Sequence, residues 1–176
     1  MTVAILIPAR YASQRFPGKP LVPLRGATGE ERSLIERTWR AAQAVGDAQT
    51  IAVATDDERI SSACQAFGAR VMMTPASCRN GTERCAAALS QLPEDVEIVV
   101  NLQGDAPLTP PWFIEALVDC LKRSMDADVA TPVLRCDGAM RDSLLADRQA
   151  GRVGGTTAVF DRSANALYFS KEVVPF

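Results

Sequence analysis

Short apolar runs alternate with longer amphipathic segments over residues 1–122, and this alternation constrains the fold more than any other feature of the chain. Short runs rich in β-branched residues are typical of buried strands. Strands that alternate with helices need crossover connections, which align the strands in parallel and cover both faces of the sheet. The sequence therefore predicts a three-layer, Rossmann-like α/β fold with a mostly parallel sheet. Strands are expected at 3–7, 50–54, 70–73 and 96–101, and helices at 33–42, 58–67, 82–92 and 110–122.

Capping signals set the expected ends of these helices. Ser33 and Thr82 are polar residues directly before helical patterns, so each is predicted to cap a helix N-terminus. Gly68 is predicted to end the second helix. In the last helix, Trp112 and Phe113 recur with leucines at spacings of three and four, which predicts that both aromatic side chains pack in the core.

The pattern weakens after residue 127. The sequence predicts a strand at 130–134, an irregular insertion over 135–155 with limited helix around 140–147, and a hairpin from 156–161 and 167–170. No segment is long enough to separate two domains, so one domain is predicted over 1–176.

Composition excludes several classes of protein. Hydrophobic residues make up 47% of the chain, yet no apolar run approaches the roughly 20 residues of a membrane helix. A net charge of −2 argues against a broad nucleic-acid surface. The chain has no histidine, which excludes a Ser-His-Asp or Cys-His arrangement. No secretory leader precedes Pro8, and five cysteines without a Cys-x-x-Cys pair are expected to be reduced thiols, so a cytoplasmic protein is predicted.

The loop after the first predicted strand concentrates positive charge. Arg10, Arg15 and Lys19 surround Gly18, which allows the backbone to approach a ligand. Ligands of open α/β sheets bind beyond the carboxyl ends of the strands, and arginine and lysine bind phosphate oxygens there. The loop therefore predicts a polyphosphate site, although three solvated surface cations would give the same sequence. The Gly-x-x-x-x-Gly-Lys-Ser/Thr and Gly-x-Gly-x-x-Gly motifs are absent, which argues against ordinary ATPases and dinucleotide dehydrogenases.

A single carboxylate follows the predicted strand at 96–101. Asp105 lies in the loop Leu102-Gln103-Gly104-Asp105-Ala106-Pro107. Magnesium takes one or two protein carboxylates and completes its shell with water and phosphate oxygens, so Asp105 is a candidate Mg²⁺ ligand. A turn-forming aspartate after glycine is the alternative interpretation.

Together these phrases resemble the 3-deoxy-manno-octulosonate cytidylyltransferases, also called CMP-Kdo synthetases. That family carries Ile-Pro-Ala-Arg-Tyr-Ala-Ser-x-Arg-x-Pro-Gly-Lys-Pro-Leu, present here from Ile7 to Leu21, which is long and specific. Its Ser-Gly-Thr-Glu/Asp-Arg and Val-Gln-Gly-Asp-Glu-Pro phrases correspond to 80–84 and 102–107, and an Ala-Leu-Tyr-Phe-Ser phrase matches 166–170. The resemblance runs from about residue 3 to residue 176 and implies a glycosyltransferase-A-like variant of the fold.

The resemblance also implies an activity. The anomeric hydroxyl of an acidic 2-keto sugar would attack the α-phosphate of CTP and release pyrophosphate, with Mg²⁺ as cofactor. Catalytic roles fall on Arg10, Lys19 and Asp105, with Asp105 as the metal ligand and Gln103 near the sugar. It implies a homodimer in bacterial lipopolysaccharide biosynthesis. The implied nucleotide-binding residues are Ala9, Arg10, Ser13, Arg15, Lys19, Gly81 and Thr82.

Several positions depart from the family pattern. Ala106 replaces the usual glutamate after the metal-binding aspartate, Cys78 replaces a histidine, and Asn80 replaces a serine. The family strand with a Val-Lys-Val-Val pattern has no lysine at the corresponding 155–159. The family also continues well past residue 176, with a dimerisation segment and a second metal-binding aspartate, so the C-terminal portion is expected to be lacking here.

These departures leave two alternatives open. One is a cytidylyltransferase for another acidic sugar, such as sialic acid, which would share the phosphate loop. The other is a non-catalytic nucleotide-binding module, for which CTP would bind with little dependence on Mg²⁺.

Overall fold

The structure is a computed structural model that describes residues 1–12, 16–124 and 126–174. The chain divides into two compact units, Met1–Ala130 and Thr131–Phe176. The single domain expected over 1–176 stays a prediction.

Fifteen elements follow one another along the described chain, eight strands, five α-helices and two 3₁₀ turns. The strands are β1 Thr2–Ala9, β2 Pro23–Arg25, β3 Glu31–Ser33, β4 Ala48–Thr55, β5 Arg70–Met73, β6 Val96–Asn101, β7 Thr157–Phe160 and β8 Ala166–Ser170. The helices are α1 Leu34–Gln43, α2 Glu58–Ala66, α3 Gly81–Ala88, α4 Pro111–Arg123 and α5 Gly138–Gln149, and the 3₁₀ turns are Lys19–Leu21 and Leu89–Gln91.

The central sheet of the first unit has four strands in the order β5-β4-β1-β6, and every pairing in it is parallel. The chain first builds outward from β1 through β4 to β5, and then returns to add β6 on the other side of β1. The loops that leave β1 and β6 therefore diverge, and such a switch point is where open α/β sheets bind ligands.

Helices cover both faces of this sheet, because the side chains of β1 alternate between two buried layers. Val3, Ile5 and Ile7 pack in one cluster with residues of α1, α2 and α4. Leu6 faces the opposite layer, where it packs with residues of β4, β5 and α3. This arrangement confirms the predicted three-layer fold with a parallel sheet.

Local signals predicted most of the first unit correctly, although they did not predict the β2–β3 hairpin and two specific predictions were wrong. The strands at 70–73 and 96–101 form with the predicted bounds, and the Ser33 hydroxyl accepts a hydrogen bond from the Glu36 amide at the start of α1. The cap of α3 is Asn80 and not Thr82, because the helix begins at Gly81, two residues earlier than a cap at Thr82 would place it. Trp112 is 64% exposed, which contradicts its predicted core position: α4 buries Ile114 and Val118 instead.

The second unit contains α5 and an antiparallel hairpin of β7 and β8. The hairpin confirms the sequence prediction. No strand forms at 130–134, which contradicts the prediction, and these residues lie mostly exposed without ladder partners among the described residues. The insertion holds a longer helix than predicted, since the Asp137 carboxylate accepts a hydrogen bond from the Met140 amide and caps α5 at residue 138.

No helix in the described part of the chain has the length and apolar character needed to cross a membrane.

Candidate functional site

An open cavity of about 700 Å³ lies in the first unit, at the switch point between β1 and β6. Four segments supply its walls: the end of β1 with the loop that follows, the start of α1, the start of α3, and the loop after β6. Its lining consists of Pro8, Ala9, Arg10, Phe16, Lys19, Pro20, Leu34, Asn80, Gly81, Arg84, Gln103, Gly104 and Asp105.

Tyr11 and Gly18 join the two ends of the loop that follows β1. The Gly18 amide donates a hydrogen bond to the Tyr11 carbonyl at 2.9 Å. Gly18 has φ +72°, and an added Cβ would lie 3.1 Å from the tyrosine ring, so a larger residue would be strained at this position. The guanidinium of Arg59 stacks on the tyrosine ring, 3.3 Å from its centroid. These contacts join the two ends of the cation-bearing loop and pack Tyr11 against Arg59 of α2.

Arg59 is itself held by the start of α2. The Asp57 carboxylate caps this helix and pairs with the Arg59 guanidinium at 2.6 Å. The side-chain hydrogen bond from Arg59 lowers the pKa of Asp57. This chain of contacts connects α2 through Arg59 and Tyr11 to the loop.

Lys19 and Asp105 face each other across the cavity. The Lys19 Nζ donates to the Asp105 Oδ2 at 2.6 Å, and both side chains are about half exposed, 45% and 52%. An exposed ion pair of this kind contributes little to stability, so a ligand can separate it at small cost. Phosphate oxygens would compete for the ammonium, and a hard cation would compete for the carboxylate.

Arg84 contributes a buried cation to the cavity wall. Its side chain is only 3% exposed, and it donates to the Thr74 hydroxyl at 2.6 Å and pairs with Asp56 at 3.3 Å. Because charged side chains are rarely buried without partners, these two contacts fix the guanidinium beside the cavity.

A polar relay follows β6 toward the start of α3. The Gln103 side-chain amide donates to the Asn101 Oδ1 at 2.9 Å. The Asn101 amide in turn donates to the Thr82 hydroxyl at 3.4 Å. The relay orients Gln103 at the cavity, while Thr82 lies outside the lining.

The start of α3 is fixed by reciprocal contacts of Asn80 and Glu83. The Asn80 side-chain oxygen, Oδ1, accepts from the Glu83 backbone amide at 2.9 Å, and the Glu83 carboxylate accepts from the Arg79 backbone amide at 2.9 Å. The Arg79 backbone bond is the largest cause of a lowered pKa at Glu83. Arg10 reaches this turn, since its Nη1 lies 3.5 Å from the Arg79 carbonyl oxygen.

The structure brings together six of the residues predicted from sequence. These six line the one cavity, and they are Ala9, Arg10, Lys19, Gly81, Gln103 and Asp105. Ser13 and Arg15 lie outside the described residues, and Thr82 contacts the relay. The chemical role assigned to each of these residues stays a prediction.

Sequence reasoning missed two residues that shape the site. They are Arg84, whose guanidinium lies in the cavity wall, and Thr38, whose hydroxyl donates to the Gly104 carbonyl oxygen at 3.0 Å. Nothing local marks Thr38, since it occupies a helix interior. Arg84 could have been identified from the sequence, because it is a charged residue next to the small, apolar residues that follow it in α3.

The parallel sheet, the cationic loop and the carboxylate at the switch point define a nucleotide-binding α/β protein. The chain belongs to the cytidylyltransferase family, whose model matches residues 4–176. This confirms the resemblance to the CMP-Kdo synthetases that the motifs predicted.

Two relatives agree over the whole chain. The 3-deoxy-manno-octulosonate cytidylyltransferase of Maricaulis maris is 45% identical over 100% of this chain and 66% of its own length. The 8-amino-3,8-dideoxy-manno-octulosonate cytidylyltransferase of Shewanella halifaxensis is 42% identical over 100% of this chain and 67% of its own length. The chain spans from about half to two thirds of the length of the relatives it matches.

A solved structure also matches this chain in fold and sequence. CMP:2-keto-3-deoxy-manno-octonic acid synthetase, determined in complex with CTP, is 30% identical with a TM-score of 0.78. The match covers 100% of this chain and 66% of that one.

Proposed function

We propose that the protein transfers a cytidylyl group from CTP to an acidic 2-keto sugar, giving a CMP-sugar and pyrophosphate. The observation that supports this proposal best is the convergence of Arg10, Lys19 and Asp105 on one cavity at the carboxyl edge of the parallel sheet. The synthetase of similar structure, solved with CTP, supports the same nucleotide.

The preferred sugar is 3-deoxy-manno-octulosonate. Relatives named for this sugar and for its 8-amino-3,8-dideoxy analogue match the chain at 45% and 42% identity. Both names describe acidic octulosonates, so an acidic sugar of this size is common to them. A sialic acid is the alternative substrate, given the departures at Cys78, Asn80 and Ala106.

The reaction requires little covalent chemistry from the protein. The anomeric hydroxyl of the sugar attacks the α-phosphate, and the bond to the pyrophosphate leaving group breaks. Arg10 and Lys19 bind phosphate oxygens and stabilise the charge that develops on them. Ala9 and Gly81, which line the cavity, adjoin the nucleotide, and Gln103 faces the sugar. The family motif adds Ser13, Arg15 and Thr82 to the nucleotide-binding residues.

The residues present fit a magnesium ion at Asp105. Its carboxylate is a hard oxygen ligand at the cavity and is 52% exposed, so phosphate and water oxygens can complete a coordination shell around it. No cluster of three or more His, Cys, Asp or Glu side chains occurs within the described ranges, so the substrate would supply further ligands. Mg²⁺ would supply charge stabilisation on the triphosphate.

We further propose a homodimer in the cytoplasm that supplies lipopolysaccharide or surface-glycan synthesis. These statements rest on the family resemblance.

The decisive experiment measures pyrophosphate release from CTP and Mg²⁺ with 3-deoxy-manno-octulosonate, its 8-amino analogue, sialic acid or no sugar. ATP, GTP and UTP serve as nucleotide controls. Release that requires CTP and one of the sugars supports the proposal and identifies the substrate. CTP binding without release under any of these conditions would favour the non-catalytic module instead.

A matched pair of variants tests the metal ligand. Asp105→Asn keeps the side-chain shape but loses the charge, so metal-dependent turnover should fall while the fold is retained. Asp47→Asn is the control, because Asp47 also pairs with a lysine, Lys122 at 3.3 Å, but lies outside the cavity lining. Full turnover in Asp105→Asn would assign this residue to the turn alone.

A further inference from the structure

We propose that Thr38, a buried residue of α1, is a positioning residue that sets the orientation of Asp105 through the carbonyl of Gly104. The inference deepens the proposed function and rests on it, because Asp105 is the ligand that the proposed reaction assigns to the metal.

Thr38 is buried, so its hydroxyl must form a hydrogen bond within the protein. Its side chain is fully buried, at 0% exposure, and its Oγ1 lies 3.0 Å from the Gly104 carbonyl oxygen and 3.2 Å from that of Leu34. The Leu34 carbonyl is four residues back in the same helix, so the helical amide bond already satisfies it. Gly104 is therefore the acceptor that depends on the hydroxyl.

The Thr38 hydroxyl is the hydrogen-bond donor of the Gly104 carbonyl. Within residues 1–12, 16–124 and 126–174, no other hydrogen bond reaches this oxygen. Its peptide group connects directly to Asp105, so rotation of that group moves the carboxylate.

The backbone of Gly104 also lies close to the end of β1. A Cβ added to it would lie 2.7 Å from the carbonyl oxygen of Pro8, so any residue other than glycine would clash with that oxygen. The residue is thus confined between the end of β1 and the Thr38 hydroxyl. Steric exclusion limits its position, and the hydrogen bond from Thr38 selects the orientation of its peptide group.

The experiment compares metal affinity among threonine variants. Mn²⁺ is titrated into protein saturated with CTP, and free Mn²⁺ is followed by electron paramagnetic resonance. Thr38→Val removes the hydroxyl at nearly constant volume and should weaken Mn²⁺ binding by about tenfold, the lower end for loss of a group that orients a metal ligand. CTP affinity measured without metal should not change, and Thr38→Ser should restore Mn²⁺ affinity.

Thr50→Val is the matched control, since Thr50 is a buried threonine of β4 outside the cavity lining. Equal Mn²⁺ affinity in Thr38→Val, Thr50→Val and the unmodified protein would overturn the proposal. If Thr38→Val does not fold, Thr38→Cys replaces it, because a thiol is a weak donor of similar size. An unchanged affinity in that variant is equally contradictory.

The same titration separates this proposal from the proposed function. Mn²⁺ binding that depends on Thr38 without pyrophosphate release from any sugar would reject the transferase activity alone. Turnover with Mn²⁺ affinity independent of Thr38 would reject the positioning role alone. A protein that binds no Mn²⁺ beside CTP would contradict both.

Discussion

The two units of the chain differ in how they use apolar residues. Every buried hydrophobic residue that the structure describes lies between Val3 and Val118, in the first unit, whereas no described residue of 131–174 is buried. Both units nevertheless contain helices whose N-terminal amides are hydrogen-bonded to a capping side chain: Ser33 caps α1, and Asp137 caps α5. Capping and turn chemistry are therefore sufficient to form local structure, while a buried core is what fixes the first unit as a scaffold for the cavity.

The largest expected difference between the two units is in the reactivity of their cysteines. Burial raises the pKa of Cys64 to about 12 and that of Cys85 to about 11. At pH 8 the thiolate of Cys64 should be about a thousandfold rarer than in the unfolded chain, where the pKa of a cysteine is about 8.5. Alkylation followed by mass spectrometry in native buffer and in denaturant measures this ratio.

The exposed Cys136 of the second unit is the internal control and should react rapidly in both conditions. Rapid native labelling of Cys64 would mean that the first unit opens readily, and the contrast between the units would fail.

Core truncation should give the next largest difference. Ile5→Ala removes a fully buried side chain of β1 and should lower the free energy of unfolding by about 2–5 kcal/mol. Leu167→Ala in β8, where the side chain is 65% exposed, should change it by less than about 0.5 kcal/mol. Urea unfolding followed by circular dichroism measures both. A comparable loss at Leu167 would mean that the hairpin is covered in solution.

Loop cations should distinguish the units in ligand binding. Arg10→Ala and Lys19→Ala each remove a charge from the cavity, and each should weaken CTP binding roughly tenfold to a hundredfold. Lys171→Ala, in the second unit, removes a lysine that bonds the Thr156 hydroxyl at 2.6 Å and should leave CTP affinity unchanged. Isothermal titration calorimetry tests all three. Loss of affinity only at Lys171 would move the nucleotide site out of the first unit.

Helix caps should give the smallest and most diagnostic effect. Ser33→Ala and Asp137→Ala each remove one cap and should each cost about 1 kcal/mol, or roughly fivefold in an equilibrium constant. The Ser33 change should appear in global unfolding, because α1 packs on the core. The Asp137 change should appear as faster hydrogen exchange confined to α5. Global destabilisation by Asp137→Ala would show that the units unfold together.

The sequence predicted the strands of the central sheet well because each contains a short apolar run, such as 71–73 in β5 and 98–100 in β6. Strands β5 and β6 formed with the predicted bounds for this reason. The short hairpin of β2 and β3 escaped prediction, since it is held by the Arg37 guanidinium, which donates to the carbonyls of Leu24 and Glu30. The apolar run at 130–134 misled prediction because an apolar run alone does not supply a partner strand.

The same reasoning applies to the cavity. Motifs predicted Arg10, Lys19 and Asp105 because their residue types suit phosphate and metal. The contacts that hold these residues join distant parts of the chain, such as Arg59 on Tyr11 and Thr38 on Gly104. No spacing rule identifies such pairs from one sequence.

The position of β1 at the centre of the sheet has a consequence for how the protein is made. Ile5 pairs with Ile51 on one side and Val100 on the other, so the strand of this sheet that is synthesised first is fully paired only when β6 is added. At typical rates of roughly 5–20 residues per second, this apolar strand waits for seconds before β6 is synthesised. During that interval it is a natural target for chaperones, and the cavity is among the last features of the first unit to form.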